Sequence, residues 1–261
     1  MIYSLISYIK FLLKSTNKHG VHSPFVFNFM QFCLNTKENL LKNAFQKFLI
    51  LKKQLLSDKS IITITDYGSG SKHFNGNKRR VSEISKYAGI SKIKAKILIA
   101  LINYYKPKSV LEIGTSLGLS TSILSRNNLA NVVTIEGCNE TSQIAKKYLN
   151  KNNHNTITHI VNRFEIVLPT LTDEKSYDLI YFDGNHQKDA TLDYFNLCLK
   201  TTHNDTLFIF DDIYLNKPMQ EAWLKIIEHP KVTVSIDIYH YGILFFRAEQ
   251  PKQHFYLRAF S

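Results

Sequence analysis

Val110-Leu-Glu-Ile-Gly-Thr-Ser-Leu-Gly-Leu-Ser120 is the stretch that decides the fold. An apolar strand carries Glu112 near its end. Gly114 and Gly118 then bracket a tight turn, and Ser120 and Thr121 lead into a helix through Ser122-Ile-Leu. Glycines let a backbone pass close to a ligand, and a helix start offers free N–H groups. Glu136 ends the next strand, 22 residues after Gly114. An acid there is placed to accept both hydroxyls of a ribose. The spacing is G-x-x-x-G, so the middle glycine of a dinucleotide loop is absent, as is the Gly-Lys-Ser/Thr of a P-loop. A carboxylate at Glu112 repels a pyrophosphate and suits an ammonium. A ligand with a ribose, an amino-acid ammonium and no phosphate is S-adenosylmethionine.

Working outward, the texture changes at Lys108. Candidate strands are Ser109–Ile113, Asn131–Glu136, Ile157–Val161, Tyr177–Asp183 and Thr206–Asp211, with helical stretches between them. That alternation implies a parallel sheet covered on both faces. Val232–Ile238 and Tyr241–Arg247 read as a closing antiparallel hairpin, for seven strands in all. The expected division is a mainly helical extension over 1–105 and a ligand-binding α/β domain over 106–261. Within the extension, His19-Gly-Val-His-Ser-Pro-Phe25 separates two helices. Asp66-Tyr-Gly-Ser-Gly-Ser-Lys72, continuing through Asn75-Gly-Asn77, reads as a surface loop and only weakly as a second binding loop. A helical run from Arg79 to Tyr105 ends before Pro107.

The bulk numbers bound the rest. With 261 residues, 44% of them hydrophobic, a sizeable core can be buried. The net charge of +12 admits a polyanionic partner, but only six of the 33 basic residues are Arg. Nucleic-acid readers lean on Arg forks, so a solvated Lys-rich surface is the plainer reading. Cys33, Cys138 and Cys198 form no C-x-x-C pair, which suggests a reducing, cytoplasmic compartment. The opening MIYSLISYIKFLLK lacks signal-peptide features and is too short to span a bilayer. It reads as an amphipathic helix packed on the body, with a membrane surface as the alternative.

Leu179-Ile-Tyr-Phe-Asp-Gly-Asn-His186 is a buried-strand pattern ending on an acid and an imidazole, at the edge where open α/β sheets bind ligands. Leu207-Phe-Ile-Phe-Asp211 ends the same way, with Asp212 next. Residues 108–250 resemble the class I S-adenosylmethionine-dependent methyltransferases, a Rossmann-like fold. The E-I-G-T-S-L-G-L-S loop resembles the catechol O-methyltransferase-like branch, and D-G-N-H with D-D resembles the macrocin-type enzymes. The whole-chain pattern, with H-G-V-H-S-P-F and G-I-L-F-F-R, is similar to an uncharacterised bacterial group.

The resemblance implies roles position by position. Glu112 would hold the cofactor ammonium. Gly114, Thr115 and Gly118 would shape the loop around the methionine part, with Ser120 near its carboxylate. Glu136 would hold the ribose, and Asn162, Arg163 and Phe164 would lie against the adenine. Asp183 would stand beside the methyl group. Asp183, Asp211 and Asp212 would hold Mg²⁺ or another divalent cation, which prefers oxygen ligands. His186 would be the base, where the catechol enzymes carry a lysine.

Plainer readings stand beside these. Asp183 fits a helix cap, Asp211-Asp212 a solvated turn, and His186 a surface residue. Trp223 fits packing better than a substrate platform. His19 and His22 read as loop histidines. Phe25-Val-Phe-Asn-Phe29 reads as a core contact. The leading function is O-methylation of a small hydroxylated metabolite; a homodimer is compatible with it. An RNA methyltransferase and a non-catalytic binding module that has kept the fold are the alternatives. The (N/D)-P-P-(Y/F) loop of amino-methylating relatives is replaced here by D-G-N-H.

Overall fold

The computed structural model describes residues 2–17, 20–68, 70, 74, 76–125 and 128–259, apart from the side chains of Ile2 and Glu38. His19, and Ser69, Ser71, Lys72 and Asn75 of the second glycine loop, lie outside the described residues. The chain divides into two compact units, Met1–Thr36 with Leu168–Ser261, and Lys37–Val167. The extension expected over 1–105 is thus shared between them, 1–36 in one and 37–105 in the other.

The first unit opens with α1 (Ile2–Lys14) and α2 (Pro24–Phe29). Phe11 of α1 is buried against the rings of Tyr239 and Tyr256, at centroid distances of 5.6 and 6.5 Å. Tyr3 donates to Gln220 Oε1 at 2.8 Å. The amphipathic helix therefore packs on the late strands of its own unit. α2 starts where Ser23 accepts from the Val26 N–H and Pro24 takes the first helical position. Phe25 and Phe29 meet Phe245 edge-on, a core contact as read.

The second unit begins with α3 (Glu38–Ser57), then β1 (Ile61–Thr63) pairs antiparallel with β2 (Lys78–Arg80). The expected helical run to Tyr105 is two helices, α4 (Val81–Tyr87) and α5 (Lys92–Tyr105). Gly89 explains the break. A Cβ there would sit 2.6 Å from the Ser85 carbonyl oxygen, so the chain turns tightly on a glycine. Ser91 then caps α5 by accepting from the Lys94 N–H. β3 (Ser109–Ile113), α6 (Leu119–Leu124), β4 (Asn131–Glu136), α7 (Asn139–Lys151) and β5 (Ile157–Val161) follow. The strands run parallel in the order β3-β4-β5, with Ser109 opposite Asn131 and Val132 opposite Ile157. α8 (Phe164–Glu174) begins in this unit and ends in the first.

The first unit resumes with β6 (Leu179–Phe182), α9 (Lys188–Cys198), β7 (Leu207–Asp211), α10 (Lys217–Glu228), β8 (Val234–Asp237), β9 (Tyr241–Phe245) and β10 (Gln253–Tyr256). β6 and β7 pair parallel and are buried along their whole length, as their continuous apolar runs predict. β9 pairs antiparallel with both β7 and β8, so the closing hairpin is present. Among the described residues, eight strands follow residue 108, where seven were expected. The extra one, β10, lies parallel to β8, with Gln253 opposite Val234. Gln253-His-Phe-Tyr256 carries no apolar alternation. Only the edge of β8, offering unpaired backbone groups, makes it a strand.

Trp223 is a packing residue, 2% exposed and against Phe210. Gly242 of β9 has no room for a side chain, since a Cβ would lie 2.6 Å from the indole ring. Gly242→Ala is expected to lower stability by about 1–3 kcal/mol through overpacking, read as a drop in the midpoint of urea unfolding. An unchanged midpoint would show that the ring can move aside. No helix among the described residues is long and apolar enough to cross a membrane. All three cysteines are buried and free.

Candidate active site

The turn after β3 is built from backbone conformations that side chains resist. Gly114 and Gly118 sit at φ +107° and +80°, and Ser116 at +47°. At Gly118 a Cβ would also press on Leu149 at 2.8 Å. The Gly114 and Thr115 N–H groups donate to the Ile135 carbonyl, at 3.1 and 3.2 Å. This ties the loop to the end of β4.

Glu112 is fully buried at 0% exposure. Its Oε2 accepts the hydroxyls of Thr121, at 2.5 Å, and Thr134, at 2.7 Å. Thr134 lies directly across the β3–β4 pairing from Glu112. Thr115 turns its own hydroxyl inward to Thr134 at 2.5 Å. Oε1 of Glu112 is buried without a hydrogen-bond partner. Burial pushes the carboxyl up to about 7, with the hydroxyls of Ser120, Thr121 and Thr134 pulling the other way and Glu136 adding to the rise. A buried carboxylate favours a donor for its remaining oxygen. The residues therefore fit an ammonium.

Glu136 ties the loop to the second strand. Its Oε2 accepts the Ser116 N–H at 2.8 Å and its Oε1 the Cys138 N–H at 3.0 Å. Burial raises this carboxyl, the Cys138, Ser116 and Gly137 N–H groups oppose the rise, and nearby Asp66 adds to it. Each oxygen keeps lone-pair capacity for a ribose hydroxyl. After β5, Asn162 donates its N–H to the Glu136 carbonyl at 3.1 Å and accepts the Arg163 N–H on its own Oδ1. Arg163 pairs with Glu165, and Phe164 starts α8 half-buried. Glu112, Gly114, Thr115, Gly118, Ser120, Glu136, Asn162 and Arg163 thus all lie in one unit, around the ends of β3, β4 and β5.

Sequence reasoning gave the segment Thr63–Gly68 no role beyond a surface loop, with a binding loop as the weaker reading. Its residues reach the end of β4, where Tyr67 lies against Gly137 and the Arg163 guanidinium stands 5.6 Å over the Tyr67 ring. No residue spacing signals this. It comes from the pairing of Thr63 and Thr65 with Glu140 and Cys138.

In the other unit, Asp183 directly follows β6 and Asp211 ends β7. Asp183 does not cap α9, whose N-cap is Gln187. Its Oδ1 lies 3.7 Å from His186 Nε2, within ion-pair range. Between them Asn185 takes φ +48° and donates to the Tyr194 hydroxyl at 3.1 Å. His186 and Asp211 line one small cavity with Thr191, Tyr194 and Met219. Asp211 is 5% exposed rather than solvated, and its Oδ1 accepts the Asp212 N–H at 2.8 Å. Asp212 holds φ +52°, a strained conformation for a residue with a side chain. Buried Tyr181 is pushed well up by burial and by Asp183 and Asp211.

Among the described residues, no group of three or more His, Cys, Asp or Glu is placed to hold a metal ion. The expected set Asp183, Asp211 and Asp212 is not gathered that way. Asp211 has one oxygen on a backbone N–H, and Asp183 faces His186.

Comparison with known proteins fits this geometry. Residues 111–213 match the family model of a methyltransferase domain. No curated protein matches the chain. Among solved structures, it is similar to an O-methyltransferase from Bacillus cereus in complex with SAH: 23% identity, TM-score 0.52, covering 59% of this chain and 80% of that one. The O-methyltransferase TomG from Streptomyces achromogenes, involved in tomaymycin synthesis and solved with SAM, shows 21% identity and a TM-score of 0.54, over 61% and 82%. Cofactor-bound Rv0187 from MTB shows 17% identity and 0.56, over 87% and 98%. At these identities the likeness is one of fold. Family model and fold coincide: residues 111–213 match a methyltransferase domain, and the chain shares the α/β fold of these solved methyltransferases.

Proposed function

We propose that this chain transfers the methyl group of S-adenosylmethionine to an oxygen of a small hydroxylated molecule. The observation that carries the cofactor is Glu112, a fully buried carboxylate with an unpartnered oxygen beside the Gly114–Gly118 turn. It would take the ammonium, while Glu136 takes the ribose and Asn162, Arg163 and Phe164 the adenine end. When bound, S-adenosylmethionine supplies a methyl group on a positively charged sulfur, open to displacement by an oxygen. Roles on the acceptor fall to His186 and Asp183. With Nε2 turned toward the Asp183 carboxylate, Nδ1 of the neutral imidazole is the nitrogen that takes the hydroxyl proton. Asp183 steadies the imidazolium that forms. The likeness to the Bacillus and Streptomyces O-methyltransferases supports oxygen as the acceptor atom.

The test is a calorimetric titration of S-adenosylmethionine into the protein, with and without Mg²⁺, beside Glu136→Ala. Saturable binding by the wild type, lost in the variant and equal in both conditions, is the expected result. Binding that needs Mg²⁺ would give Asp183, Asp211 and Asp212 the metal role the family resemblance implies. Absence of binding in every arm would sink the enzyme reading in favour of a non-catalytic module. The +12 charge keeps one other acceptor in view. RNA binding that falls steeply with salt would shift the acceptor from a metabolite to a ribose hydroxyl of RNA.

A further inference from the structure

The segment Thr63–Gly68 belongs to no part of the function proposed above, yet it is fastened to the cofactor side of the second unit. The Thr63 N–H donates to Glu140 Oε2 at 2.6 Å, and the Thr65 N–H to Cys138 Sγ at 3.4 Å. The Cys138 thiol donates back to the Thr63 carbonyl at 3.6 Å. Asp66 accepts the Gly68 N–H and faces Arg79, which fixes the turn around Tyr67. Cys138 and Glu140 follow Glu136 directly, so these bonds hang the segment on the turn that bears the ribose acid.

Tyr67 is the outcome of that tether. A Cβ on Gly137 would lie 2.8 Å from its Cδ2 and 3.2 Å from its Cε2. Only a residue without a side chain lets the ring come this close. Arg163 lies over the ring, and Tyr67 is 51% exposed, so much of the aromatic surface is still open. The ring thus stands between Gly137, next to Glu136, and Arg163, next to Asn162. These are the residues assigned to the ribose and the adenine. An exposed aromatic surface at a nucleoside site is a stacking platform, because every base has a π-face.

We propose that Tyr67 is a cofactor-positioning residue that stacks the adenine of S-adenosylmethionine, and that Gly137 lacks a side chain to admit its ring. This rests on the S-adenosylmethionine reading of Glu112 and Glu136. The second glycine loop is then part of the cofactor site through its first residues, not through its glycines.

Calorimetry with S-adenosylhomocysteine and with 5′-methylthioadenosine tests it on the full chain. Tyr67→Ala is expected to bind both roughly tenfold more weakly, because the loss sits on the nucleoside half they share. Tyr67→Phe is expected to stay within about twofold, since the π-face and not the hydroxyl does the binding. Gly137→Ala is expected to weaken binding in the wild-type background and to add nothing in Tyr67→Ala, the coupling expected of two groups in contact. Equal ligand-free melting temperatures in wild type and Tyr67→Ala would exclude a folding defect. Unchanged or tighter binding by Tyr67→Ala, with the wild type binding normally, overturns this inference and leaves the cofactor reading intact. A wild type that binds neither ligand removes both.

Discussion

Glu112→Gln weakens S-adenosylmethionine binding by roughly ten- to hundred-fold, the 1.5–3 kcal/mol of a hydrogen bond to a charged group. The glutamine keeps the shape and can still accept the Thr121 and Thr134 hydroxyls, so the loss comes from the missing charge. The wild type should show a pH signature that the variant lacks. Its carboxyl is held up to about 7 by burial, against an ordinary 4.5. Below pH 7 the free protein is protonated there and must release a proton to meet the ammonium. Affinity is then expected to rise with pH, by up to about tenfold per unit below 7, and to level off above it. Calorimetry at pH 6 and 8, in two buffers of different ionisation heat, reads both the affinity and the proton release.

Stability moves the other way. An acid whose folded pKa lies above its unfolded value opposes folding once the pH passes the unfolded value. The cost grows from about 4.5 to about 7 and is constant beyond. The ligand-free Glu112→Gln protein should therefore melt higher than the wild type at pH 8 and much like it at pH 4. Wild-type affinity that is flat from pH 6 to 8, or a variant that binds as well as the wild type, would mean that Glu112 is a structural acid.

The second large effect is on turnover. His186→Ala is expected to lower kcat by roughly 10²- to 10⁴-fold, the range of a lost general base. The affinity for S-adenosylmethionine should stay within about twofold. Activity should partly return on addition of imidazole, or as the pH rises and the acceptor hydroxyl ionises unaided. Asp183→Asn should cost less, because it leaves the imidazole in place and removes only the carboxylate 3.7 Å from Nε2. Single-turnover kinetics, on an acceptor taken from a screen of hydroxylated compounds, separates binding from chemistry. A His186→Ala enzyme with wild-type kcat would place the proton acceptor elsewhere.

Much of this was legible because it is local. The strands Ser109–Ile113, Asn131–Glu136 and Ile157–Val161 stand at the boundaries their apolar runs marked. The turn after β3 takes positive φ at three positions, and glycine occupies the two outer ones, Gly114 and Gly118, with Ser116 between them. Patterning every second or every third to fourth residue reports burial directly. Three features were not local. The helical run to Tyr105 breaks at Gly89 because the turn packs against Ser85. β10 is a strand only because β8 offers it an edge. The carboxylates of Asp183 and Asp211, adjacent in pattern, turn to different partners once folded, His186 and the Asp212 N–H.

By itself, the sequence determined the α/β class, the glycine turn and the acids at the strand ends, since each follows from short-range periodicity and φ preference. Tertiary structure alone decided how those acids are used. Register put Thr134 across from Glu112 and left one oxygen without a partner. Hydrogen bonds from the Thr63 and Thr65 N–H groups to Glu140 and Cys138 brought Tyr67 to Gly137 across some 70 residues of chain. Charge, acidity and contact at a site depend on which groups the fold brings within a few ångströms and how far it removes them from water. Chain spacing specifies neither.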